Sequence, residues 1–256
     1  MSGGIFFVEG DMERILSTQL HEHVGERVKI AGWLHNLRAL GKINFVLVRD
    51  RAGIAQAMTQ DTNALKPLND LQNETVLEIE GVVVAEEQAP TGYELHDIAI
   101  HVISPVRDVF AISLNKPTVN ATLDVFLDHA TVALRHPRKR ALFRLSAAIM
   151  AAFREFLNGE GFTEIQSPKL VASATESGAN VFAVDYFGKR AYLAQSPQFY
   201  KQIMVGVFER VYEIAPVFRA EPHSTTRHVN EYVSMDVEFG FIENHFTVMT
   251  LLTRVV

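Results

Sequence analysis

Cysteine is missing from the 256-residue sequence, which excludes a disulfide framework and any thiolate metal site. Long apolar runs are missing too: no stretch could span a membrane and no signal peptide is visible, so a cytoplasmic location is expected. Neither sign of charge prevails strongly. A net charge of -6 argues against coating nucleic acid non-specifically but leaves room for a local basic patch. The segment "RHPRKR", Arg135 to Arg140, is such a patch and reads equally as a solvated edge of a linker. No phosphate-cradling Walker loop and no dinucleotide-binding glycine pattern occur, so any nucleotide is held in another way. Internal repeats and low-complexity tracts are absent.

What is present is an ordinary globular composition, 48% hydrophobic, enough for one or two domains with real cores. From Arg27 the chain runs "RVKIAGWL", "INFVLVRD", a tight Asp-Arg-Ala-Gly turn, "GIAQAM", a helix-like "TNALKPLNDLQ", "TVLEIEGVVVAE" and "YELHDIAIHVI". Three strands, a helix and two strands match a small closed Greek-key barrel of the oligonucleotide-binding type, which offers one strand face to single-stranded nucleic acid. A generic small barrel has the same spacing, so this pattern alone leaves nucleic-acid binding open. Residues 104–135, with Pro105, Pro117 and then Pro137 as punctuation, show no long element and read as a linker or hinge. The expected division is a barrel over 1–103, the linker over 104–135 and a second domain over 136–256.

In that second domain Leu142, Leu145, Ile149, Ala152, Phe153 and Phe156 recur at helical spacing. They predict an amphipathic helix over 141–157 with its stop at Asn158-Gly159. "FTEIQSPKL" gives a short strand closed by Pro168. A polar loop "ASATESGAN", a strand "VFAVDY", a turn over 187–189, a strand "RAYLAQS" and a helix "PQFYKQIMVGVFE" follow. This order indicates an α+β domain, not a parallel doubly wound sheet.

The stretch "VYEIAPVFRAEPHSTTRHVNEYVSMDVEFGF" carries the most chemistry. Its first part sets Glu213, Arg219 and Glu221 on one face. Its second part alternates polar Tyr232, Ser234, Asp236 and Glu238 with apolar Val233, Met235, Val237 and Phe239, the period of a half-buried strand. Two antiparallel strands joined by a loop from about Pro222 to His228 are predicted. By alternation alone Arg219 and Glu221 could form a structural ion pair, and Asp236 and Glu238 could support a ligand or simply face water. His21 and His23 in "LHEH" read as surface residues rather than metal ligands.

On these residues the chain resembles the class II aminoacyl-tRNA synthetases, and among them the aspartyl-tRNA synthetases of archaeal-like type. "GFTEIQSPKL" is similar to motif 1 with its terminal Pro168, and "FRAEPHSTTRHVNEYVSMD" to motif 2. "YLAQSPQFYKQ" stands at the expected distance, and the barrel carries "GWL", "LG", "F" and "RDRAG" in order. The resemblance covers nearly the whole chain. It implies an α+β chain, a five-stranded OB-type β-barrel followed by the first part of a class II antiparallel-sheet catalytic domain. The implied activity is ATP-dependent conversion of L-aspartate to aspartyl-adenylate and transfer of the aspartyl group to tRNA(Asp).

Activation drives a carboxylate onto the α-phosphate of ATP, two anions that must be held in line and neutralised. The resemblance implies that Arg219 is the catalytic fork on both, and that Glu221 accepts from the adenine amino group. It implies that Arg227, His228 and Val229 belong to the ATP loop and that Tyr232 lies beneath the adenine ring. Glu176 matches the glutamate that pairs with the substrate α-ammonium. Gln198 and Lys201, three apart on the first turns of a helix, share a face, and the lysine pairs with the aspartate side chain. Asparaginyl relatives carry an apolar residue there, because a buried ammonium left unpaired by a neutral amide is costly.

In the barrel, Phe45 matches the aromatic that stacks on an anticodon base, and Arg38 and Glu94 match positions that meet the anticodon loop. Ala39 departs from the family's usual acid. His35 and Pro90 stand where strict enzymes resemble one another in carrying tryptophan and lysine, and relaxed enzymes carry histidine and proline. That implies charging of tRNA(Asn) as well, with amidation by a partner amidotransferase. Pro168 and its preceding helix are expected at a homodimer interface.

The glycine-rich motif 3, with its γ-phosphate arginine and Mg2+-binding acid, does not follow motif 2. The chain is therefore expected to be a fragment or truncated product of a synthetase, inactive alone and with no metal ligands of its own. Two further readings stay open. One is a paralogue, either an asparaginyl-tRNA synthetase or an ammonia-using asparagine synthetase on the same catalytic fold, against the latter of which the barrel speaks; the other is a non-catalytic RNA-binding protein.

Overall fold

Each alternating run after Arg27 buries one side, and closing the sheet on itself hides its edges. The computed structural model describes residues 12–173, 180–223, 225 and 228–256. After a two-residue β1 (Arg14–Ile15), the barrel consists of β2 (Arg27–Leu40), β3 (Ile43–Arg49), β4 (Ile54–Thr59), β5 (Val76–Ala85) and β6 (Tyr93–Ser104). The sheet order is β1-β2-β3-β4-β6-β5, closed by β2 on β5. Val28, Ile30, Leu34, Val46, Val48, Leu77, Ile79 and Leu95 fill it. Strands β2 and β3 approach so closely at Gly32 that an added Cβ would lie 2.3 Å from the Arg49 carbonyl oxygen.

The helix expected between β4 and β5 is reduced to a 3-10 turn over Lys66–Leu68. Pro67 lacks the N–H that a longer helix needs and Asp70 turns left-handed with φ 61°, so the segment cannot propagate.

Residues 104–135, expected as a linker, hold α1 (Leu123–Asp128) and α2 (Ala130–Ala133). Ile112, Leu114, Val132 and Ala133 make a small core there, backed by Phe110, Val125 and Phe126. The segment falls in the same compact unit as the barrel, which ends at Arg140. Arg49 grips Glu74 with two bonds of 2.7 and 2.9 Å, and Arg135 adds a third of 2.9 Å. Arg49 and Glu74 are both buried, where removal of one partner costs about 3–5 kcal/mol.

His35 lies at this node. A bulge between Leu34 and Asn36 breaks the alternation of β2 and leaves the ring only 8% exposed. Burial, followed by the positive charge of Arg49, holds its pKa below the ordinary 6.5; Glu74 opposes the shift and His136 adds to it.

The second unit begins at Ala141. Helix α3 (Pro137–Gly159) runs past the expected stop. It closes two residues later, where Gly161 takes φ 79°, with Phe162 N–H donating to Leu157 and Gly161 N–H to Asn158, the paired bonds of a Schellman cap. Strand β7 (Thr163–Glu164) is parallel to β11 (Arg210–Phe218), which pairs antiparallel with β12 (Glu231–Phe239). A small sheet of β8 (Leu170–Val171), β9 (Ala183–Tyr186) and β10 (Lys189–Leu193) is ordered β8-β10-β9. Helices α4 (Gln198–Phe208) and α5 (His245–Val255) complete the unit. Phe153, Leu157, Phe162, Tyr212, Ile214 and Leu251 form its core, with Val237 and Phe239 against it. Both apolar stripes read from the sequence are covered only in part: Leu142, Leu145 and Ile149 of α3 and Val233 and Met235 of β12 are exposed.

Two stability outcomes are expected. Gly32→Ala forces β2 and β3 apart and lowers barrel stability by about 2–3 kcal/mol, seen as a lower urea midpoint. For His35, the unfolded imidazole takes a proton near pH 6.5 while the folded one resists, so stability is full above pH 6.5 and falls on acidification below it. Urea midpoints at pH 7.5 and 5.5 should show a smaller drop in His35→Leu than in wild type.

Candidate functional site

Cross-strand register decides which side chains share a face. Glu213 lies opposite Asp236, Ala215 opposite Ser234, and Val217 opposite Tyr232, while Tyr212, Ile214, Val237 and Phe239 turn to the core. The polar face expected from alternation is thus assembled. Helix α4 packs on both strands and delivers Lys201, 6% exposed. Its ammonium lies 3.2 Å from Asp236 and 3.5 Å from Glu238. Gln198 opens the same helix.

The hairpin ladder continues one step beyond the strands, with Arg219 N–H donating to the Asn230 carbonyl at 2.9 Å. Arg219 therefore leaves a rigid base. Glu221 follows in the loop and lies 3.6 Å from the His228 ring, whose other nitrogen is 2.7 Å from the Thr225 hydroxyl. Val229 and Tyr232 are exposed. The loop, from Arg219 to Asn230, is longer than the sequence suggested. Glu176 and Arg227 lie outside the described residues. Among the described residues no group of three His, Asp or Glu side chains could hold a metal ion. His21 and His23 instead meet the Thr18 carbonyl and Glu26.

Near Pro168, Glu213 is fully buried. Its carboxylate accepts the Ser167 N–H at 2.6 Å, the Ser167 hydroxyl at 2.8 Å and the Lys169 ammonium at 2.9 Å. Pro168 itself is exposed. The hairpin face thus carries the Lys201 ammonium with the Asp236 and Glu238 carboxylates beside it, groups that can meet a small ligand bearing both an anionic and a hydrogen-donating group.

The barrel carries a groove of about 530 Å³ lined by Arg38, Phe45, Gln56, Met58, Glu94 and His96, among others. Three of the predicted barrel residues, Arg38, Phe45 and Glu94, meet there. The other two do not: His35 is buried at the Arg49–Glu74 node, because the bulge takes it out of step, and Pro90 sits exposed in the loop that sends Glu86 and Gln88 to the groove. Gln56 and His96 escaped the sequence reading. Gln56 donates to Glu94 at 2.7 Å and the His96 ring meets its other oxygen at 2.7 Å. The signal was available in the period of two, since His96 is two residues from Glu94 and Gln56 is its cross-strand partner. A separate cavity of about 610 Å³, between Phe162, Arg210, Phe239 and Arg254, contains none of the predicted residues.

Comparison with known proteins bears on both sites. Residues 28–103 match the family described as OB-fold nucleic acid binding domain, and residues 122–256 match tRNA synthetases class II (D, K and N). The chain is 45% identical over 238 residues to the aspartate–tRNA(Asp/Asn) ligase of Thermus thermophilus, covering 93% of this chain and 55% of that protein. It is 42% identical to the aspartate–tRNA(Asp) ligase of Pyrococcus horikoshii, covering 91% and 54%. Among solved structures, asparaginyl-tRNA synthetase from Pyrococcus horikoshii complexed with asparaginyl-adenylate superposes with a TM-score of 0.84 at 31% identity, over 92% of this chain and 54% of that one. The chain spans about half the length of the curated relatives it matches. With an OB-fold barrel, a β11–β12 hairpin carrying the Arg219 and Glu221 pattern, and a family match over more than half of its residues, the chain belongs to the class II tRNA synthetases of the D, K and N group.

Proposed function

We propose that the intact protein is an aspartate–tRNA ligase, forming aspartyl-adenylate from L-aspartate and ATP and passing the aspartyl group to tRNA(Asp) and tRNA(Asn). The observation that carries this reading is Lys201, an ammonium buried on α4 against Asp236 and Glu238. It offers a ligand carboxylate a charge-assisted donor, a bond that the oxygen of a neutral amide makes less strongly. In this reading Lys201 takes the aspartate side chain, Glu176 takes the α-ammonium, Gln198 lines the aspartate subsite beside Lys201, and Arg219 spans the attacking carboxylate and the α-phosphate. As the carboxylate oxygen bonds to phosphorus and pyrophosphate leaves, the guanidinium stabilises the charge that builds on the equatorial oxygens. Glu221 and Tyr232 hold adenine, and Arg227, His228 and Val229 line the triphosphate. Mg2+ would accompany ATP, neutralising charge on its phosphates.

The same reading assigns residues 1–103 to anticodon binding through Arg38, Phe45 and Glu94, residues 104–135 to the connection and 136–256 to catalysis, in a cytoplasmic enzyme. A homodimer is supported by the apolar side chains that α3 leaves exposed, at Leu142, Leu145 and Ile149, next in sequence to the segment ending at Pro168. Relaxed tRNA choice is supported by Pro90, which has no N–H to offer, and by a relative whose name couples the two tRNAs. His35, buried at the Arg49–Glu74 node, would act on that choice through the barrel wall. An amidotransferase would then convert the aspartyl-tRNA(Asn).

Aspartate-dependent ATP–pyrophosphate exchange by the intact protein, lost in Arg219→Ala, is the expected result; exchange that prefers asparagine overturns the aspartate assignment. For tRNA choice, kcat/KM on the two transcripts should differ by less than about a hundredfold, or about 2.7 kcal/mol. A larger preference for tRNA(Asp) means that the barrel discriminates.

A further inference from the structure

We infer that Glu213 is a positioning residue for the aspartate subsite, acting through Ser167, Lys169 and Ala194 on the start of α4. This rests on the activity proposed above. Glu213 is 0% exposed, and its carboxylate is directed at the residues that flank Pro168. Its carboxylate accepts from Ser167 N–H, Ser167 Oγ and Lys169 Nζ, and Lys169 Nζ also donates to Ser167 Oγ at 2.8 Å.

The path continues from there. The Lys169 carbonyl accepts the Ala194 N–H at 2.9 Å, and the Ala194 carbonyl accepts the Phe218 N–H at 3.0 Å. A closed circuit therefore runs from Glu213 through the residues flanking Pro168 to Ala194, on to Phe218, and back along β11. Three assigned residues hang from it. Arg219 follows Phe218 directly, and Gln195 and Ser196, both buried, lead from Ala194 into α4, whose first turns carry Gln198 and Lys201. On the neighbouring strand Asp236, the cross-strand partner of Glu213, holds the Lys201 ammonium. The lysine is thus fixed at its head by Asp236 and at its helix by the circuit that Glu213 closes.

Arg219 is independently held by the hairpin ladder through Asn230, so loss of Glu213 displaces Lys201 more than Arg219. A selective effect on aspartate follows. In Glu213→Gln the amide keeps the volume and one acceptor but turns a donor toward Lys169 and leaves that ammonium without its counter-charge.

The test uses the intact protein as wild type, Glu213→Gln, Lys169→Met, the double variant and Ser167→Ala, which removes only a hydroxyl. Pyrophosphate exchange should show KM for aspartate raised about tenfold in Glu213→Gln with KM for ATP within about twofold. Adding Lys169→Met should recover part of the loss, because the unpaired ammonium is gone, and Ser167→Ala should show the same split at smaller size. Amide hydrogen exchange on the same proteins should quicken at Ser167, Lys169 and 194–201 and stay unchanged in β12. Equal rises in both KM values, an unchanged KM for aspartate, or faster exchange throughout the sheet would each overturn the positioning role. If wild type shows no aspartate-dependent exchange, the proposed activity fails, and the amide pattern still decides whether Glu213 fixes the start of α4.

Discussion

A charge taken out of water must be met by an opposite charge or by several hydrogen bonds, at a cost of several kcal/mol otherwise. That requirement fixes this structure at three places. Glu213 binds Lys169 across 44 residues of sequence, Lys201 binds Asp236 across 35, and Glu74 gathers Arg49 and Arg135 from 25 and 61 residues away. Hydrophobic burial would tolerate small slips between these elements, whereas a bidentate guanidinium or a triply bonded carboxylate does not. The polar pairs therefore set register where apolar packing alone leaves it loose, and the Lys201 and Glu213 pairs lie on the face that carries the site.

The chemistry of the site inherits its properties from this arrangement. Asp236 and Glu238 already flank Lys201, so in the proposed reading a ligand carboxylate would enter beside an oriented ammonium and share it with two acids. In that reading selectivity would depend on the full charge of the ligand, since an amide oxygen competes poorly with a carboxylate for the same donor. Arg219 stands where the ladder passes into the loop. Its backbone has the rigidity of a strand while the residues after it have the adaptability of a loop, a division that suits a fixed fork beside groups that must close around a nucleotide.

Regular periodicity carried the reading of the sequence, and its failures have physical causes. The five barrel strands, the β11–β12 hairpin and the course of α3 follow from periods of two and 3.6 sustained over many residues. Elements of two to six residues, such as α1 and α2, are shorter than any period can reveal, and so an ordered segment with its own core read as a linker. Composition placed the end of α3 at Asn158-Gly159, but only Gly161 adopts the left-handed conformation that a cap needs. The bulge at Leu34/Asn36 shifts His35 by a single residue, which moves it to the other side of the sheet and out of the groove. Alternation also identified the apolar sides of α3 and β12 without revealing what covers them: Val237 and Phe239 meet the core, while Val233 and Met235 do not.

Gln56 and His96 belong to a pattern that single-residue motifs do not express. In the groove, Glu94 is buried with a side chain 5% exposed while His96, which it holds, is 34% exposed. Glu213 and Lys169 repeat the contrast at 1% and 21%, as do Glu74 and Arg135 at 1% and 40%. Each time the acid is the buried member and its partner reaches toward solvent. The acid then acts on a ligand through the groups that it aims. In the groove this fixes polarity as well as position: a carboxylate only accepts, so Gln56 must turn its amide nitrogen to Glu94, which leaves its carbonyl oxygen toward Arg38 at 3.4 Å. With His96 Nε2 likewise committed to Glu94, one buried carboxylate determines the donor and acceptor order presented beside Phe45, and in the proposed reading a base edge would meet that order already set.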